Sequence, residues 1–330
     1  MKINKIILYL SVYFILSLKI SYAQTFEQWK IDFKILAISK GISASTFDNV
    51  MRDAKFLPKV IEYDRYQPEF YEDTKTYISK RTSKKKVLSG LNYYKKNTTI
   101  INTIDQNFKI EKELLLALMG IETNFGRYLG KMNIISSLST LSFDKRRSEF
   151  FTNELLTILK LIDNEIVDPN ILYGSWAGAF GNFQFMPSTI EKYAIDYNNN
   201  NLIELKNNHD SFASAANYLN KMGWKRDAPC FKKVSLKSNV PNKILNTSAR
   251  KIKNKKKIKY YKKYINDTLD YDDDLKIAII TPDVDIVDNA KNNDPAYIVF
   301  DNYELILKWN RSLRFGLAVC TLKEKFKNEL

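Results

Sequence analysis

In the segment LLLALMGIETNFG (residues 114–126), Glu122 directly follows eight apolar residues. An ionised carboxylate is costly to keep in such surroundings. Leu115, Leu118 and Glu122 recur at intervals of three and four residues, so on a helix they share one stripe. Phe125 continues that stripe three residues later. The spacing therefore predicts that Glu122 points towards the buried side. A carboxyl group withdrawn from water favours its protonated form, which can donate a proton to a reacting oxygen.

Two roles for Glu122 are open at this point. A structural role would pair it with a buried arginine or let it cap a loop. A chemical role would make it the general acid for a glycosidic oxygen, a reaction for which most glycosidases add a second carboxylate. Its acidic neighbours in sequence, Glu111 and Glu113, precede it by up to three turns. A second carboxylate could come from another part of the chain. The distance of Glu111 and Glu113 from Glu122 nevertheless favours chemistry in which one carboxylate acts alone.

Other kinds of site have little support in the sequence. His209 is the one histidine, so multi-histidine zinc sites are impossible and a Ser-His-Asp triad would have to use it. Neither GxGxxG nor GxxxxGK[ST] occurs, so nucleotide chemistry is not indicated. Cys230 and Cys320 either form one bridge or remain two buried thiols. We expect no cofactor to be required.

The first 23 residues have the pattern of a secretory signal peptide. Residues 1–5 include two lysines and form a short basic start, residues 6–18 are apolar, and Ser-Tyr-Ala at 21–23 is a small-x-small cleavage pattern. An uncleaved membrane anchor is the alternative, but the apolar part is short for a span and Lys19 follows it. We therefore expect a periplasmic protein with no transmembrane span after cleavage.

The net charge is strongly basic. Without Lys2, Lys5 and Lys19 the chain retains 49 basic and 37 acidic residues, a net charge of +12. Outside the cytoplasm an anionic cell-wall polymer is a better partner than nucleic acid, which we do not expect to bind. The basic run at 250–263 is interpreted mainly as a solvated face, with contact to a polyanion as the alternative.

The elements that must position these residues are mostly helices. Helical spacing recurs up to residue 110, with Ser43 as a predicted N-cap, and an amphipathic helix is predicted at 146–163. Short β-branched runs after residue 225 indicate strands. We predict an α+β, mainly helical fold with these parts: signal peptide 1–23, N-terminal helical part 24–110, core 111–224, β-rich module 225–305, and a strand and helix returning to the core at 306–330.

A glycine-rich loop at 173–185 separates two of the predicted helices. Its glycines alternate with large aromatic residues, namely Gly174, Trp176, Gly178, Phe180, Gly181, Phe183 and Phe185. Glycine permits close approach of the backbone to another group. The loop is therefore either a tight packing turn or the wall of a groove. Ser188 and Glu191 after it are a predicted capping box.

Several of these segments together resemble the lytic murein transglycosylase B family in residue type, order and spacing. They are YDRYQPEF, GIETNFGRYLGK, LSTLSFDKRRSEFF, GSWAGAFGNFQFMPST, ANYLNKMGW and ILKWNRSLRFGLAV. The resemblance covers nearly all of the chain after residue 23. It implies a lysozyme-like catalytic core with a helical N-terminal part and a β-rich insert. It also implies cleavage of the β-1,4 bond between N-acetylmuramic acid and N-acetylglucosamine in peptidoglycan.

The resemblance assigns roles to individual residues. The catalytic glutamate of the family corresponds to Glu122. Its substrate-binding residues correspond to Ser175, Gln184, Tyr218 and Asn310. The paired arginines Arg146 and Arg147 would bind wall peptide, or would instead pair with Glu149 or Glu154 on their own helix. Trp309 and Phe315 stand where some members have tyrosines, so we leave both out of the predicted site.

The implied mechanism uses Glu122 first as acid and then as base. It would protonate the leaving oxygen and then accept the proton of the C6 hydroxyl that attacks C1, which leaves a 1,6-anhydro-muramic acid end. The alternatives are a hydrolytic muramidase on the same scaffold and an inactive wall-binding protein. Glycan strands are the expected partner, and a cell-wall synthesis complex is a further candidate.

The loop DYNNNNLIEL contains a potential calcium site. Asp196, Asn198, Asn200 and the Leu202 carbonyl occupy positions 1, 3, 5 and 7 of an EF-hand-like loop. Asn207 stands at position 12, where glutamate is usual, but some family members use an aspartate three residues later, here Asp210. Two carboxylates would bind Ca²⁺ weakly. The alternative is a polar loop without metal.

Overall fold

The computed structural model describes residues 24–66, 71–284 and 293–330, so the predicted signal peptide lies outside the described residues. Helices form the first part of the chain. They are α1 (Phe26–Ser39), α2 (Ala44–Met51), α3 (Pro58–Arg65), α4 (Thr74–Arg81), α5 (Lys84–Lys96) and α6 (Thr98–Phe108).

Short polar side chains determine where several of these helices begin. Ser43, Asp73 and Ser83 each accept a backbone N–H from the residue three positions later, at the start of α2, α4 and α5. The predicted N-cap at Ser43 is thereby confirmed. Helix α3 begins with Pro58, whose missing N–H costs nothing in the first turn.

Helix α7 (Lys112–Thr123) forms the centre of the core. All seven residues from Leu114 to Gly120 are buried, so neighbours surround this helix on every side. The last helix, α14 (Leu313–Lys327), packs along it. Gly120 permits the tight turn that follows, because a Cβ atom there would lie 2.8 Å from the ring of Phe125.

Four further helices complete the central part: α8 (Ile134–Phe143), α9 (Ser148–Asp163), α10 (Pro187–Tyr193) and α11 (Asn208–Lys221). Helix α9 confirms the amphipathic helix predicted for this region. The predicted capping box after the glycine-rich loop is wrong. Met186 is the N-cap of α10, and Ser188 lies within the first turn, where its hydroxyl donates to Glu154.

A two-stranded pair, β1 (Met132–Asn133) with β2 (Tyr173–Gly174), precedes the larger sheet. The larger sheet comprises β3 (Phe231–Val234), β4 (Leu245–Asn246), β5 (Lys256–Lys257), β6 (Lys276–Ile280) and β7 (Ala296–Val299). Its order is β3-β7-β6-β4, with β5 also paired to β6, and the pairing is antiparallel except between β4 and β6. A short helix, α12 (Ile258–Tyr261), follows β5.

The two faces of this sheet bury different residues. Along β6, Ala278 and Ile280 contact the helical core, whereas Ile277 and Ile279 belong to a second apolar cluster within the β-rich region. This alternation is the period of two that a strand imposes on its side chains. The sheet therefore joins its own small core to the main one.

Cys230 and Cys320 form a disulfide across 90 residues of sequence, which decides between the two alternatives for the thiols. The bridge connects the residue before β3 to α14. Helix α13 (Asp301–Trp309) leads the chain from β7 back to the helical part. The strand predicted within 306–330 is therefore wrong, because Tyr303, Ile306 and Leu307 are buried along one face of this helix. Across the described ranges, no helix has both the length and the apolar character needed to cross a membrane.

The fold is mainly helical with a small β-rich insert, as the sequence predicts. Helices α1–α6 lie within residues 24–110, and strands β3–β7 lie within residues 225–305. The two apolar clusters share one sheet, so the structure does not divide the chain at the predicted boundaries. These boundaries remain predictions.

Candidate active site

Glu122 lies in the last turn of α7, where the buried stripe reaches the surface. Leu115 and Leu118 are fully buried and Phe125 is 7% exposed, whereas Glu122 is only partly buried. The helix ends there because Asn124 adopts the left-handed conformation, with φ of 51°. The prediction that Glu122 faces the buried side is therefore only partly correct. Its Oε1 accepts a hydrogen bond from Nε1 of Trp309 at 3.1 Å.

Neighbouring elements hold this turn in place. The Thr123 hydroxyl donates to the carbonyl of Asn182 at 2.8 Å, and Nζ of Lys86 donates to the carbonyl of Gly120 at 2.8 Å. Burial lowers the pKa of Lys86, with the charge of Arg81 as the second cause. A cation at the C-terminal end of a helix also interacts favourably with the helix dipole. The turn that carries Glu122 is thus attached to α5 and to the glycine-rich loop.

Trp309 is the site residue that the sequence analysis missed. Besides its hydrogen bond to Glu122, its indole lies 5.2 Å from the ring of Phe185, 6.2 Å from Phe183 and 5.0 Å from Tyr218, measured between centroids. Comparison with family members that have tyrosine at this position draws attention only to the missing hydroxyl. Tryptophan supplies an N–H donor instead. Its position next to the predicted site residue Asn310 is the sequence feature that could have identified Trp309 as part of the site.

Tyr218 lies in the same aromatic group. It projects from α11, is 8% exposed, and its ring centroid is 4.5 Å from that of Tyr193. Burial raises the pKa of Tyr218 to about 12, and the neighbouring Tyr193 adds to this effect. The phenol is therefore neutral at physiological pH and can act as a hydrogen-bond donor.

Ser175 and Gln184 stabilise the glycine-rich loop. Oγ of Ser175 accepts the N–H of Ala179 at 3.0 Å. Nε2 of Gln184 donates to the carbonyls of Gly181 at 2.9 Å and Leu129 at 3.3 Å. Among the described residues, neither side chain has a hydrogen bond to Glu122. Their contacts bring the loop against the segment that follows α7.

Both earlier interpretations of the loop are correct in part. Gly181 has φ of 81°, and a Cβ atom there would lie 2.5 Å from Cβ of Leu205, so it forms a tight packing turn. Trp176, by contrast, lines a cavity. The glycines allow the loop to pack closely, and the aromatic residues between them divide between core and cleft.

Arg146 and Arg147 bind an acidic residue from another helix. Nε of Arg146 lies 2.7 Å from a carboxylate oxygen of Asp64 on α3, and Arg147 forms an ion pair with the same carboxylate. Asp64 is 2% exposed, whereas both arginines remain partly exposed. The alternative that they pair with Glu149 or Glu154 is wrong. Glu154 is buried and accepts hydrogen bonds from Ser188 at 2.8 and 2.6 Å.

Two adjoining cavities of about 650 and 400 Å³ form a cleft beside Trp309. The larger is lined by Arg147, Phe150, Glu154, Met186, Ser188, Thr189, Lys192, Tyr193, Tyr218, Lys308, Trp309 and Arg311. The smaller shares several of these residues and adds Phe151, Trp176, Ala177, Asn310 and Ser312. Among the residues that the structure describes, the lining is aromatic and carries four cations, and the acidic residue in it is the buried Glu154. Such a cleft suits a ligand with apolar faces and negative charge.

The structure places the predicted residues at different distances from this cleft. Arg147, Tyr218 and Asn310 line it, and Glu122 borders it through Trp309. Phe315 is 3% exposed and belongs to the core, which agrees with its exclusion from the predicted site.

The residues proposed for calcium lie in a compact loop. Asp196 accepts the N–H groups of Asn200 at 3.1 Å and Asn201 at 2.7 Å, and Oδ1 of Asn200 accepts that of Leu202. Asn201 has φ of 69°, the left-handed conformation that this position of the loop requires.

Asp210 is fully buried beside this loop, and each of its carboxylate oxygens accepts a backbone N–H, from Tyr197 and from Glu204, at 2.9 Å. Hard oxygen ligands of this kind suit Ca²⁺. In the part of the chain that the structure describes, no three His, Cys, Asp or Glu side chains are grouped to hold a metal.

The sequence model of the family described as the transglycosylase SLT domain matches residues 25–324. Membrane-bound lytic murein transglycosylase B of Escherichia coli K12 is 38% identical over 139 residues, which is 42% of this chain. The aligned part spans 38% of that relative's own length.

Solved structures have the same fold. SltB3 from Pseudomonas aeruginosa in complex with NAG-NAM-pentapeptide has a TM-score of 0.80 and 30% identity, covering 92% of this chain and 80% of its own. The same protein is also solved with NAG-anhNAM-pentapeptide. The Escherichia coli lytic transglycosylase Slt35, solved with calcium, has a TM-score of 0.74 at 24% identity, covering 91% and 93%. The predicted lysozyme-like fold is confirmed.

Proposed function

The chain belongs to the family of transglycosylase SLT domains, and we propose that it is a lytic transglycosylase of peptidoglycan. It cleaves the β-1,4 bond between N-acetylmuramic acid and N-acetylglucosamine without water. The observation that carries this proposal is the hydrogen bond between the partly buried Glu122 and Trp309, an indole that lines an aromatic, cationic cleft. A relative of the same fold, SltB3, is solved with a saccharide that contains an anhydro-muramic acid.

In the first step, protonated Glu122 donates its proton to the oxygen that leaves C1 of the muramic acid. The C1–O bond breaks, and the 2-acetamido group of the sugar stabilises the anomeric centre. The N–H of Trp309 stabilises the ionised Glu122 at this point, because a hydrogen bond to a charged acceptor is stronger than one to a neutral acceptor. In the second step, the C6 hydroxyl of the same sugar bonds to C1 and passes its proton to Glu122. The carboxyl group is then ready for another cycle.

The cleft supports a mechanism with one carboxylate. Among the described residues that line the two cavities, the acidic one is Glu154, in the larger cavity. It is 3% exposed and accepts two hydrogen bonds from Ser188. A general base must reach the water molecule that it activates. Glu154 is already engaged with the start of α10. The C6 hydroxyl, which the substrate itself carries, is therefore the better nucleophile.

The other predicted site residues would bind the substrate. Tyr218 and Asn310 line the cleft, where sugar rings would pack against the aromatic group. Ser175 and Gln184 would position the glycine-rich loop. Arg147 lines both cavities, and with Arg146 it would bind the peptide attached to the muramic acid.

The loop at 196–210 would bind Ca²⁺ weakly as a structural ion, through Asp196, Asn198, Asn200, the Leu202 carbonyl and Asp210. Its side-chain oxygens already stabilise the loop through N–H groups, so the reaction does not depend on the ion. Titration calorimetry with millimolar Ca²⁺ should give heat and a higher melting temperature, both lost in Asp196→Asn. If neither signal appears, the loop binds no metal.

The cellular setting follows from the substrate. The predicted signal peptide would export the protein to the periplasm, where peptidoglycan lies. Association with a cell-wall synthesis complex remains a prediction.

Substitution of the proposed acid tests the proposal. Glu122→Gln should reduce release of soluble fragments from peptidoglycan by about a hundredfold or more, because loss of a general acid commonly costs this much. Its melting temperature should change little, since the side chain is only partly buried. Glu113→Gln on the same helix is the matched control and should remain active. Near-normal activity of a folded Glu122→Gln variant would remove Glu122 from the mechanism.

A further inference from the structure

Nine of the fourteen residues at 250–263 are basic, and the structure divides them into two groups. Four form ion pairs with acidic residues: Lys255 with Asp301 and Glu304, Lys257 and Lys259 with the single carboxylate of Asp274, and Lys262 with Asp273. The other five are exposed, and none has an ion pair with any described residue: Arg250, Lys251, Lys253, Lys256 and Lys263. We call these five the cationic surface.

Helix α13 connects the basic run 250–263 to the cleft. Lys255, within the same run, lies 2.5 Å from Asp301 and 2.8 Å from Glu304, at the N-terminal end of α13. Trp309, which binds Glu122, is the last residue of that helix. Trp309 follows Asp301 by eight positions, a rise of about 12 Å along a helix. A bound polymer of a few sugars could therefore contact both ends.

We propose that the cationic surface binds carboxylates of the peptides carried by the same peptidoglycan strand or by its neighbour. This inference rests on the proposed function. Positive charge continues to the cleft through Lys308 and Arg311, both of which line it. An anionic polymer would thus meet cations at the basic run and again at the cleft, and attraction of this kind raises both its local concentration and its rate of association.

A lipid bilayer fits this surface less well. Interfacial binding usually buries apolar side chains next to the basic ones. In residues 250–263 the exposed large hydrophobic residue is Tyr260, 38% exposed, and Nζ of Lys263 lies 4.9 Å from the centre of its ring. The surface therefore offers charge and little apolar area.

The test compares two variants of the full chain, each with Glu122→Gln so that the polymer stays intact. The surface variant changes all five cations to glutamine: Arg250, Lys251, Lys253, Lys256 and Lys263. The control removes five exposed cations from α5 and the end of α1: Lys40, Lys84, Lys85, Lys95 and Lys96. Both lose the same net charge, so a difference between them reflects location.

Binding to purified peptidoglycan is measured by co-sedimentation. At about 0.05 M salt the surface variant should bind about tenfold more weakly than the control, and the difference should vanish near 0.5 M, where the Debye length is about 4 Å. With Glu122 restored, turnover of a soluble disaccharide-peptide should be unchanged. That last assay reports on the proposed function separately, because it fails if the chain is not a transglycosylase.

Two results would overturn the inference. One is equal binding of the surface variant and the control to peptidoglycan at low salt. The other is a loss confined to vesicles of anionic phospholipid, which would assign the surface to a membrane.

Discussion

Replacement of Trp309 by phenylalanine removes the N–H that lies 3.1 Å from Oε1 of Glu122, while an aromatic ring remains between Phe185 and Tyr218. A hydrogen bond to a charged group contributes about 1.5–3 kcal/mol. Because Glu122 is partly exposed, water can replace part of the lost bond, so we take about 1.4 kcal/mol. This corresponds to about a tenfold lower kcat.

The assay is the steady-state release of fragments from peptidoglycan, with a thermal melt to verify folding. Trp176→Phe is the matched control, because Trp176 lines the same cleft and the change likewise replaces an indole by a phenyl ring. We expect Trp176→Phe to leave kcat unchanged and at most to raise KM. If Trp309→Phe retains kcat within about twofold, or if Trp176→Phe loses as much, the indole N–H does not stabilise ionised Glu122 in the reaction.

Three other substitutions test separate parts of the structure. Tyr218→Phe should lower turnover but leave the pH profile unchanged below about pH 10, because burial holds the pKa of Tyr218 at about 12 and the hydroxyl stays protonated there; an altered alkaline limb would contradict this. Exchange of Cys230 and Cys320 for serine should lower the melting temperature in scanning calorimetry, since a cross-link over 90 residues commonly contributes about 2–4 kcal/mol; an unchanged melt would contradict it. Asp64→Asn should reduce turnover of peptide-bearing strands more than of peptide-free strands, and equal losses would show that it acts through stability alone.

Local patterns in the sequence predicted the parts of the fold that depend on neighbours along the chain. Ser43 caps its helix because the N–H groups that it must bind lie within three residues. The amphipathic helix α9 follows from helical periodicity, and the strands after residue 225 follow from short β-branched runs. The position of Glu122 at the end of an apolar helix was predictable for that reason.

Contacts between distant segments were not predictable in this way. Trp309 reaches Glu122 across 187 residues of sequence, and Asp64 binds Arg146 across 82. Spacing on one helix suggested acidic partners for the arginines at Glu149 and Glu154, but tertiary packing supplied Asp64 instead. From the sequence alone, Trp309 could be compared only with the tyrosine of other family members, whose hydroxyl it lacks.

The identity of the reaction product tests the central claim most directly. A lytic transglycosylase closes the C6 oxygen onto C1, so its muropeptides carry 1,6-anhydro ends and are lighter by one water than the hydrolysed products. Mass spectrometry of the soluble fragments from purified peptidoglycan distinguishes the two. We predict that anhydro ends dominate and disappear in Glu122→Gln. A digest dominated by reducing muramic acid ends would contradict the transglycosylase mechanism and indicate a hydrolase that uses the same acid.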